Sequence, residues 1–242
     1  MNFPNALPVK IILIGAGGTG GYILPHLYRI AYSLQRPVRI IVCDGDIVEQ
    51  KNIVRQNFAP QDIGLNKAKA LAERYSSAFG ISCEYIPRFV ESEEELLALT
   101  NPDCIEQKVV LIGAVDNNKS RQVCHRIFYR KPNLVYIDAG NGLYTGQVVC
   151  GLRKNGRTQS KPVGALYPDI LSDQDSFPSE LSCADRAASE PQAITANLMA
   201  SNTVICMLYD LLCVGKLYTK SATFSSFYIS TKADVIQQKR TA

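Results

Sequence analysis

The sequence contains eight cysteines but no C-x-x-C pair, so a structural zinc site has no sequence support. Its densest basic stretches, 153–157 and 238–240, are too short to form a nucleic-acid-binding stripe. It has no secretory signal pattern, and its apolar stretches are too short or too interrupted to span a bilayer. We therefore expect a cytoplasmic protein with reduced thiols that binds neither nucleic acid nor a membrane.

The length and composition of the chain are typical of one globular domain. The 242 residues are 46% hydrophobic and 20% charged, with a formal net charge of +4. This composition allows a substantial buried core and does not require a second domain. We therefore treat residues 1–242 as a single domain.

Apolar runs alternate with helical patterns over most of the chain. Strands are predicted at 10–14, 38–43, 83–87, 108–115, 134–140 and 146–153. Helices are predicted at about 20–34, 63–79, 91–99 and 118–130. This order predicts an α/β fold with a Rossmann-like, doubly wound and mostly parallel sheet that carries an antiparallel extension.

The pattern changes after about residue 153. Residues 154–182 show little periodicity and are predicted to form a long crossover loop, which is often functional in a compact domain. An apolar helix is predicted at 191–212, with Pro191 in its first turn. The alternating residues 223–230 are predicted to be an edge strand, so that 183–232 form a C-terminal helix and strand.

A glycine cluster, GAGGTG at 15–20, follows the first strand directly; we call it the glycine loop. Its spacing is G-x-G-x-x-G, in which glycines allow a tight turn and the next helix offers N–H groups to phosphate. Asp44 follows the second strand, where an acidic side chain can bind a ribose hydroxyl. These features fit an NAD(P)-dependent oxidoreductase, and they also fit another phosphate ligand.

Polar and cationic side chains then follow Asp44, at Asn52, Arg55, Gln56 and Lys67. A dinucleotide has little need of both a guanidinium and an ammonium, whereas a triphosphate can use both. Solvated surface charges are the alternative interpretation.

Asp116 and Asn117 come after the strand predicted at 108–115. A carboxylate at the end of this strand could hold Mg²⁺ beside phosphates. The alternative is that one of these residues caps the helix at 118–130.

Five motifs in this order carry a resemblance to a known family: GAGGTG at 15–20, DGDIV at 44–48, NIVRQ at 52–56, GLNKA at 64–68 and DNNKSR at 116–121. Together they resemble the ThiF/MoeB/ubiquitin-activating (E1-like) superfamily over about residues 10–140, the expected nucleotide-binding half. The whole layout resembles the ThiF-like proteins of PRTRC gene clusters.

The resemblance implies ATP-dependent adenylation of the C-terminal glycine carboxylate of a ubiquitin-like or sulfur-carrier protein. It implies an E1-like adenylyltransferase in which Arg55, Lys67 and Asp116 are catalytic and Asp116 holds Mg²⁺. The implied ATP-binding residues are Gly15, Gly17, Gly18, Gly20, Asp44, Asp46, Asn52, Arg55, Gln56, Lys67, Asp116, Asn117 and Arg121. A non-catalytic scaffold of the same fold is a further alternative.

The resemblance also implies that an activated acyl group can pass to a cysteine, and Cys183, near Arg186, is the candidate. The other seven cysteines are expected to be buried. A homodimer and an E2-like partner are implied as well. The segment before Lys10 contains no arginine, although dimeric relatives commonly donate one from this region to the partner's site.

Overall fold

The computed structural model describes residues 7–180 and 192–236. Its strands are β1 Val9–Ile14, β2 Val38–Cys43, β3 Cys83–Ile86, β4 Lys108–Gly113, β5 Leu134–Asn141, β6 Thr145–Lys154, β7 Arg157–Ser160, β8 Thr219–Ser225 and β9 Ser230–Val235. Its helices are α1 Gly18–Ser33, α2 Lys67–Phe79, α3 Glu93–Leu99, α4 Asn118–Arg130, α5 Val163–Leu166, α6 Asp169–Ser172 and α7 Ile194–Tyr209.

The nine strands form one sheet with a parallel part and an antiparallel part. Strands β3, β2, β1, β4 and β5 lie side by side in that order and are parallel. The sheet continues through β6, β8 and β9, which pair antiparallel, and β7 also pairs with β6. The predicted fold class is therefore confirmed.

The central strand β1 is apolar on both faces because each face contacts a separate hydrophobic cluster. Ile11 and Leu13 belong to the cluster that includes side chains of α1, α2 and α7. Ile12 and Ile14 belong to the opposite cluster, with side chains of α3 and α4. Since side chains alternate along a strand, a strand that is buried on both sides requires an uninterrupted apolar run.

The crossover segment 154–182 contains more regular structure than the sequence predicts. It includes β7, α5 and α6, and it packs on α4. The Gln122 side-chain amide donates hydrogen bonds to the carbonyl oxygens of Ile170 and Asp173, both at 2.9 Å. The two short helices depend on contacts with α4, and β7 depends on its pairing with β6, so no periodicity in their own sequence reveals them.

The C-terminal strand prediction is wrong in its bounds. The alternation at 223–230 spans the end of β8, a turn and the first residue of β9. The outer strand of the sheet is therefore β9, which is exposed along its whole length.

Helix α7 begins at Ile194 and continues into a π-helical turn, Asp210–Val214. The combined stretch Ile194–Val214 has 21 residues, and an 18-residue window within it has a mean hydropathy of 1.4, so it is long and apolar enough by composition to cross a membrane. This differs from the expectation of short apolar stretches. Its side chains at Ala200, Val204 and Leu208 are buried in the hydrophobic core, as in the core helix of a globular domain.

Candidate functional site

Three glycines of the glycine loop are required by close packing. Gly15 has a φ of +91°, and a Cβ there would lie 2.4 Å from the carbonyl oxygen of Ala114. A Cβ on Gly20 would lie 1.9 Å from the carbonyl oxygen of Gly15, and one on Gly18 would lie 2.4 Å from Nδ2 of Asn197. The loop therefore turns tightly and lets α7 approach the start of α1.

The amino terminus of α1 leaves the glycine loop without a side-chain cap. Gly17 is the N-cap residue, and the first turn contains no acidic side chain. Among the described residues, a Cβ on Gly17 would have only the Gln56 side chain within 4 Å, at 3.8 Å. Because the first N–H groups of a helix lack partners within it, this open end is suited to an anion.

Asp44 lies beside the glycine loop and is buried. Its Oδ2 accepts a hydrogen bond from the Ala16 N–H at 2.6 Å, and its Oδ1 accepts one from the Asp46 N–H at 2.8 Å. Burial raises the pKa of this carboxyl to about 6, although nearby Lys67 acts in the opposite direction. Each oxygen retains a second lone pair, so the carboxylate can still accept a ribose hydroxyl.

Lys67 is the first residue of α2 and is held at the end of β2. Its Nζ donates to Oδ2 of Asp46 at 2.8 Å, and its backbone N–H donates to the Asp46 carbonyl at 2.9 Å. Asn66 caps the helix by accepting from the Lys69 N–H, and it donates to the carbonyls of Asp44 and Asp46. This framework places a largely buried ammonium next to Asp44.

The predicted residues at 52–56 have different roles in the structure. Asn52 is buried, and its Oδ1 accepts from the Glu49 N–H at 2.8 Å, so it fixes the local turn. Gln56 is buried beside Gly17, and its Oε1 has no hydrogen-bond partner among the described residues. Arg55 donates to Oε1 of Gln192 at 3.0 Å.

Asp116 and Asn117 follow β4 at the same edge of the sheet. Asn117 is the N-cap of α4, since its Oδ1 accepts from the Ser120 N–H at 2.8 Å, while its Nδ2 is buried with no partner in the described part of the chain. Asp116 is exposed. Burial lowers the pKa of Arg55, and the Asp116 carboxylate opposes that shift, so the two charges are neighbours.

Arg121 is held behind this edge rather than projecting freely. Its Nη2 donates to the Val115 carbonyl and its Nη1 to Oδ1 of Asn118. Its Nε lies 3.4 Å from Oδ1 of Asp138, a fully buried carboxylate that also accepts from the Tyr136 hydroxyl at 2.7 Å. The guanidinium is therefore fixed in one position.

Asn141, at the end of β5, links several of these elements and was missed by the sequence analysis. Its Oδ1 accepts from the Thr19 hydroxyl at 2.9 Å, and its Nδ2 donates to Oδ1 of Asn197 at 3.0 Å. Its carbonyl accepts from the Gln192 amide, which also binds Arg55. The only sequence signal was its position at the carboxyl end of a parallel strand.

The candidate nucleophile Cys183 lies outside the described residues. Of the other cysteines, Cys43, Cys124 and Cys150 are buried, whereas Cys104 and Cys206 are exposed. The expectation that all seven are buried is therefore wrong. Cys206 lies on α7, and the apolar sequence of this helix predicts that all of its faces are buried.

Among residues 7–180 and 192–236, no group of three or more His, Cys, Asp or Glu side chains could hold a metal ion. A magnesium ion needs fewer protein ligands than this, because it is commonly bound by one or two carboxylates together with substrate phosphates.

Comparisons with known proteins agree with the fold. A model of the ThiF family matches residues 5–237. The chain is also similar to the ATP-dependent ubiquitin transferase-like protein Cap2 of Enterobacter hormaechei subsp. hoffmannii strain UCI 50. The two sequences are 32% identical over 102 residues, and this match covers 40% of the chain and 16% of Cap2.

Solved structures of two proteins, PaaA and MccB, share the architecture at low sequence identity. PaaA superposes with a TM-score of 0.67 and 16% identity over 94% of this chain. E. coli MccB with ATP superposes with a TM-score of 0.63 and 17% identity over 96% of this chain. MccB with AMPCPP and MccA superposes with a TM-score of 0.64 and 17% identity, also over 96% of this chain. The chain spans 64% of the PaaA chain and 64 to 65% of these MccB chains.

Proposed function

Because the chain belongs to the ThiF family, we propose that it activates the C-terminal carboxylate of a small protein by adenylation with ATP. The observation that carries this proposal is the uncapped amino terminus of α1, with Asp44 and Lys67 on one side and Asp116 on the other. The similarity to Cap2, an ATP-dependent ubiquitin transferase-like protein, and to MccB, solved with ATP and with AMPCPP and MccA, favours the same chemistry.

The residues at this edge of the sheet fit a nucleoside triphosphate. The α1 N–H groups would bind phosphate, Asp44 would accept a ribose hydroxyl, and Arg55 and Lys67 would neutralise phosphate charge. The buried side chains of Gln56 and Asn117 each have an atom without a partner among the described residues. Such atoms are costly unless a ligand or water satisfies them, so they are suitable contacts for ATP.

Asp116 is the residue that would hold Mg²⁺, since it is an exposed carboxylate beside Arg55. When bound there, Mg²⁺ would neutralise charge on the phosphate oxygens. The NAD(P)-dependent alternative has no comparable use for Lys67 and Arg55 together.

The proposed reaction needs positioning more than acid–base chemistry. The substrate carboxylate is already ionised at neutral pH, so no general base is required. A bond forms between a carboxylate oxygen and the α-phosphorus, while the bond to the bridging oxygen breaks and pyrophosphate leaves with that oxygen. The cationic groups stabilise the charge that develops on the departing pyrophosphate.

A ubiquitin-like or sulfur-carrier protein ending in glycine is the substrate class that we propose. A second step would transfer the acyl group from the adenylate to the Cys183 thiolate, forming a thioester and releasing AMP. A reductant-sensitive conjugate that disappears in Cys183→Ser would support this step, and one that persists would contradict it. An E2-like partner, a homodimer and a cytoplasmic location belong to the same proposal.

The experiment that tests adenylation is ATP–pyrophosphate exchange. We expect incorporation of labelled pyrophosphate into ATP only when a small protein with a free C-terminal Gly is present, and none when that carboxyl is amidated. Tight NAD binding and hydride transfer without ATP binding would establish the oxidoreductase alternative. Binding of the small protein without exchange would indicate a scaffold.

The pKa of Asp44 makes nucleotide affinity dependent on pH. A ribose hydroxyl that donates to Asp44 favours the ionised carboxylate, whose pKa in the free protein is about 6. Affinity should therefore be about half of its maximum at pH 6, approach its maximum above about pH 7, and fall by up to about tenfold per pH unit below pH 6. Calorimetric titration of ATP between pH 5 and 7.5 measures this effect.

The control for the pH experiment is Asp44→Asn, which has the same shape and does not titrate. It retains the pH dependence that comes from ATP itself, so the difference between the two curves isolates Asp44. Parallel curves for the wild type and this variant would show that Asp44 does not bind the nucleotide in its ionised form.

A further inference from the structure

Arg55 differs from Lys67 in the group that holds its charged end in place. The Lys67 ammonium pairs with the Asp46 carboxylate at 2.8 Å. Arg55 is half-buried, and within the described part of the chain its guanidinium forms one hydrogen bond, from Nη1 to the amide oxygen Oε1 of Gln192 at 3.0 Å. Because a guanidinium has several N–H donors and no acceptor, other N–H groups of Arg55 remain for a ligand.

The Gln192 side chain is fixed at both ends of its amide. Its Oε1 accepts from Arg55, and its Nε2 donates to the Asn141 carbonyl at the end of β5, at 3.2 Å. An arginine only donates and a carbonyl only accepts, so one orientation of the amide satisfies both contacts. The next residue is held as well, because the Ala193 N–H donates to the Leu143 carbonyl at 3.1 Å. Gln192 therefore connects Arg55 to the end of β5.

The end of β5 is itself fixed by several elements. The Asn141 side chain accepts from Thr19 of α1 and donates to Asn197 of α7, and its backbone pairs with Gly146 of β6. Thr19 lies in the first turn of α1, the helix whose amino terminus would bind phosphate. One network of hydrogen bonds therefore sets the position of Arg55 relative to the proposed phosphate site.

A neutral acceptor is a suitable support for a cation that binds phosphate. A carboxylate in place of the Gln192 amide would form a charge-assisted pair with Arg55 and would offset much of its positive charge. An amide oxygen orients the guanidinium and leaves its net charge unchanged. A guanidinium that is already oriented also loses less side-chain entropy when phosphate binds.

We propose that Gln192 is a positioning residue, which holds Arg55 so that its remaining N–H groups meet the phosphates that leave as pyrophosphate. The inference rests on the proposed adenylation, because that reaction requires the triphosphate. Gln192 acts through Arg55 and not on the nucleotide directly. Its contribution to nucleotide affinity should therefore require both the β- and γ-phosphates and the guanidinium of Arg55.

The test is a double-variant cycle in which calorimetry measures the affinity for ATP and, separately, for AMP, without an acceptor protein. Gln192→Met keeps the length of the side chain and removes both hydrogen bonds. It should weaken ATP binding by about tenfold, the usual value of a hydrogen bond to a charged group. It should leave AMP binding within about twofold. In an Arg55→Met background, the same replacement should change ATP affinity by less than about twofold.

Two further variants complete the test. Gln192→Glu retains an acceptor for Arg55 and adds a negative charge beside the phosphates, so it should weaken ATP binding at least as much as Gln192→Met. Gln159→Met makes the same replacement at an exposed position of β7 and should change neither affinity. Near-ultraviolet circular dichroism establishes that each variant is folded.

The outcomes separate this inference from the proposed function. Equal losses of ATP and AMP affinity in Gln192→Met, or a loss of ATP affinity that persists in the Arg55→Met background, would give Gln192 a general structural role. Either result overturns the inference while adenylation stands, as does wild-type ATP affinity in Gln192→Met or in Gln192→Glu. If the affinities change as expected but ATP–pyrophosphate exchange is absent with every acceptor, adenylation fails and the role of Gln192 stands. If the wild type does not bind ATP, both fail.

Discussion

Replacing Lys67 with alanine is expected to lower partner-dependent ATP–pyrophosphate exchange by about 10²–10³-fold, the usual cost of removing one group that stabilises developing charge. Lys67 is 6% exposed, and its position is fixed at the first turn of α2 by Asp46 and by the Asn66 cap. An ammonium held in a site that excludes water stabilises phosphate charge far more than a hydrated one. Initial rates of exchange at saturating acceptor measure the effect.

The same variant should remain folded. The Asp46 carboxylate that pairs with Lys67 is 38% exposed, so water can replace its partner. We therefore expect a loss of only about 1 kcal/mol in the free energy of unfolding. Denaturation by urea, compared with exchange, distinguishes a loss of chemistry from a loss of folded protein.

Lys69→Ala is the matched control. Lys69 is two residues further along α2, and its ammonium lies on the exposed side of the helix, 3.9 Å from Glu73. Its removal deletes the same charge without touching the site, so exchange should be close to that of the wild type. Equal rates for the two variants would remove Lys67 from the catalytic residues.

Much of the fold follows directly from the sequence. Strand β2 and helix α4 have the predicted bounds, 38–43 and 118–130, because a buried apolar run and an amphipathic period are local signals. The glycine loop and Asp44 could be placed together because the carboxyl ends of neighbouring parallel strands meet at one edge. Local pattern and topology were sufficient for these parts.

The sequence does not reveal contacts between residues that are far apart in the chain, or the role of a polar side chain within a motif. Asn141 binds Asn197, which is 56 residues away, and neither residue belongs to a recognisable motif. The side-chain oxygens of Asn52 and Asn117 cap local turns, a role that a motif cannot distinguish from ligand binding, and their contacts with ATP stay a prediction. The short helices of the crossover segment are likewise defined by α4.

Replacing Asp138 with alanine should destabilise the protein by about 3–5 kcal/mol, the usual cost of leaving one member of a buried ion pair without its partner. Asp138 is fully buried, lies 3.4 Å from Nε of Arg121 and accepts the Tyr136 hydroxyl. Its removal leaves a buried guanidinium and a buried hydroxyl without this acceptor. Urea denaturation monitored by circular dichroism measures the change in the free energy of unfolding.

Two further variants separate the charge from the hydrogen bond. Asp138→Asn keeps an oxygen for the Tyr136 hydroxyl and loses only the charge, so its effect should be smaller than that of alanine. Asp234→Ala removes an exposed aspartate, 3.8 Å from Lys220, and should change stability by less than about 0.5 kcal/mol. A similar loss in all three variants would contradict the buried pair.

The double variant Asp138→Leu with Arg121→Met tests whether this ion pair has a role in the site in addition to its role in stability. Apolar residues of similar volume often restore the stability that is lost with a buried pair, so we expect the double variant to be more stable than Asp138→Ala. Partner-dependent ATP–pyrophosphate exchange should nevertheless be slower in the double variant, because Arg121 lines the same pocket as Asp116. Restored stability together with slower exchange would assign the ion pair to holding Arg121 at the site, whereas exchange at the wild-type rate would leave the pair only a structural role.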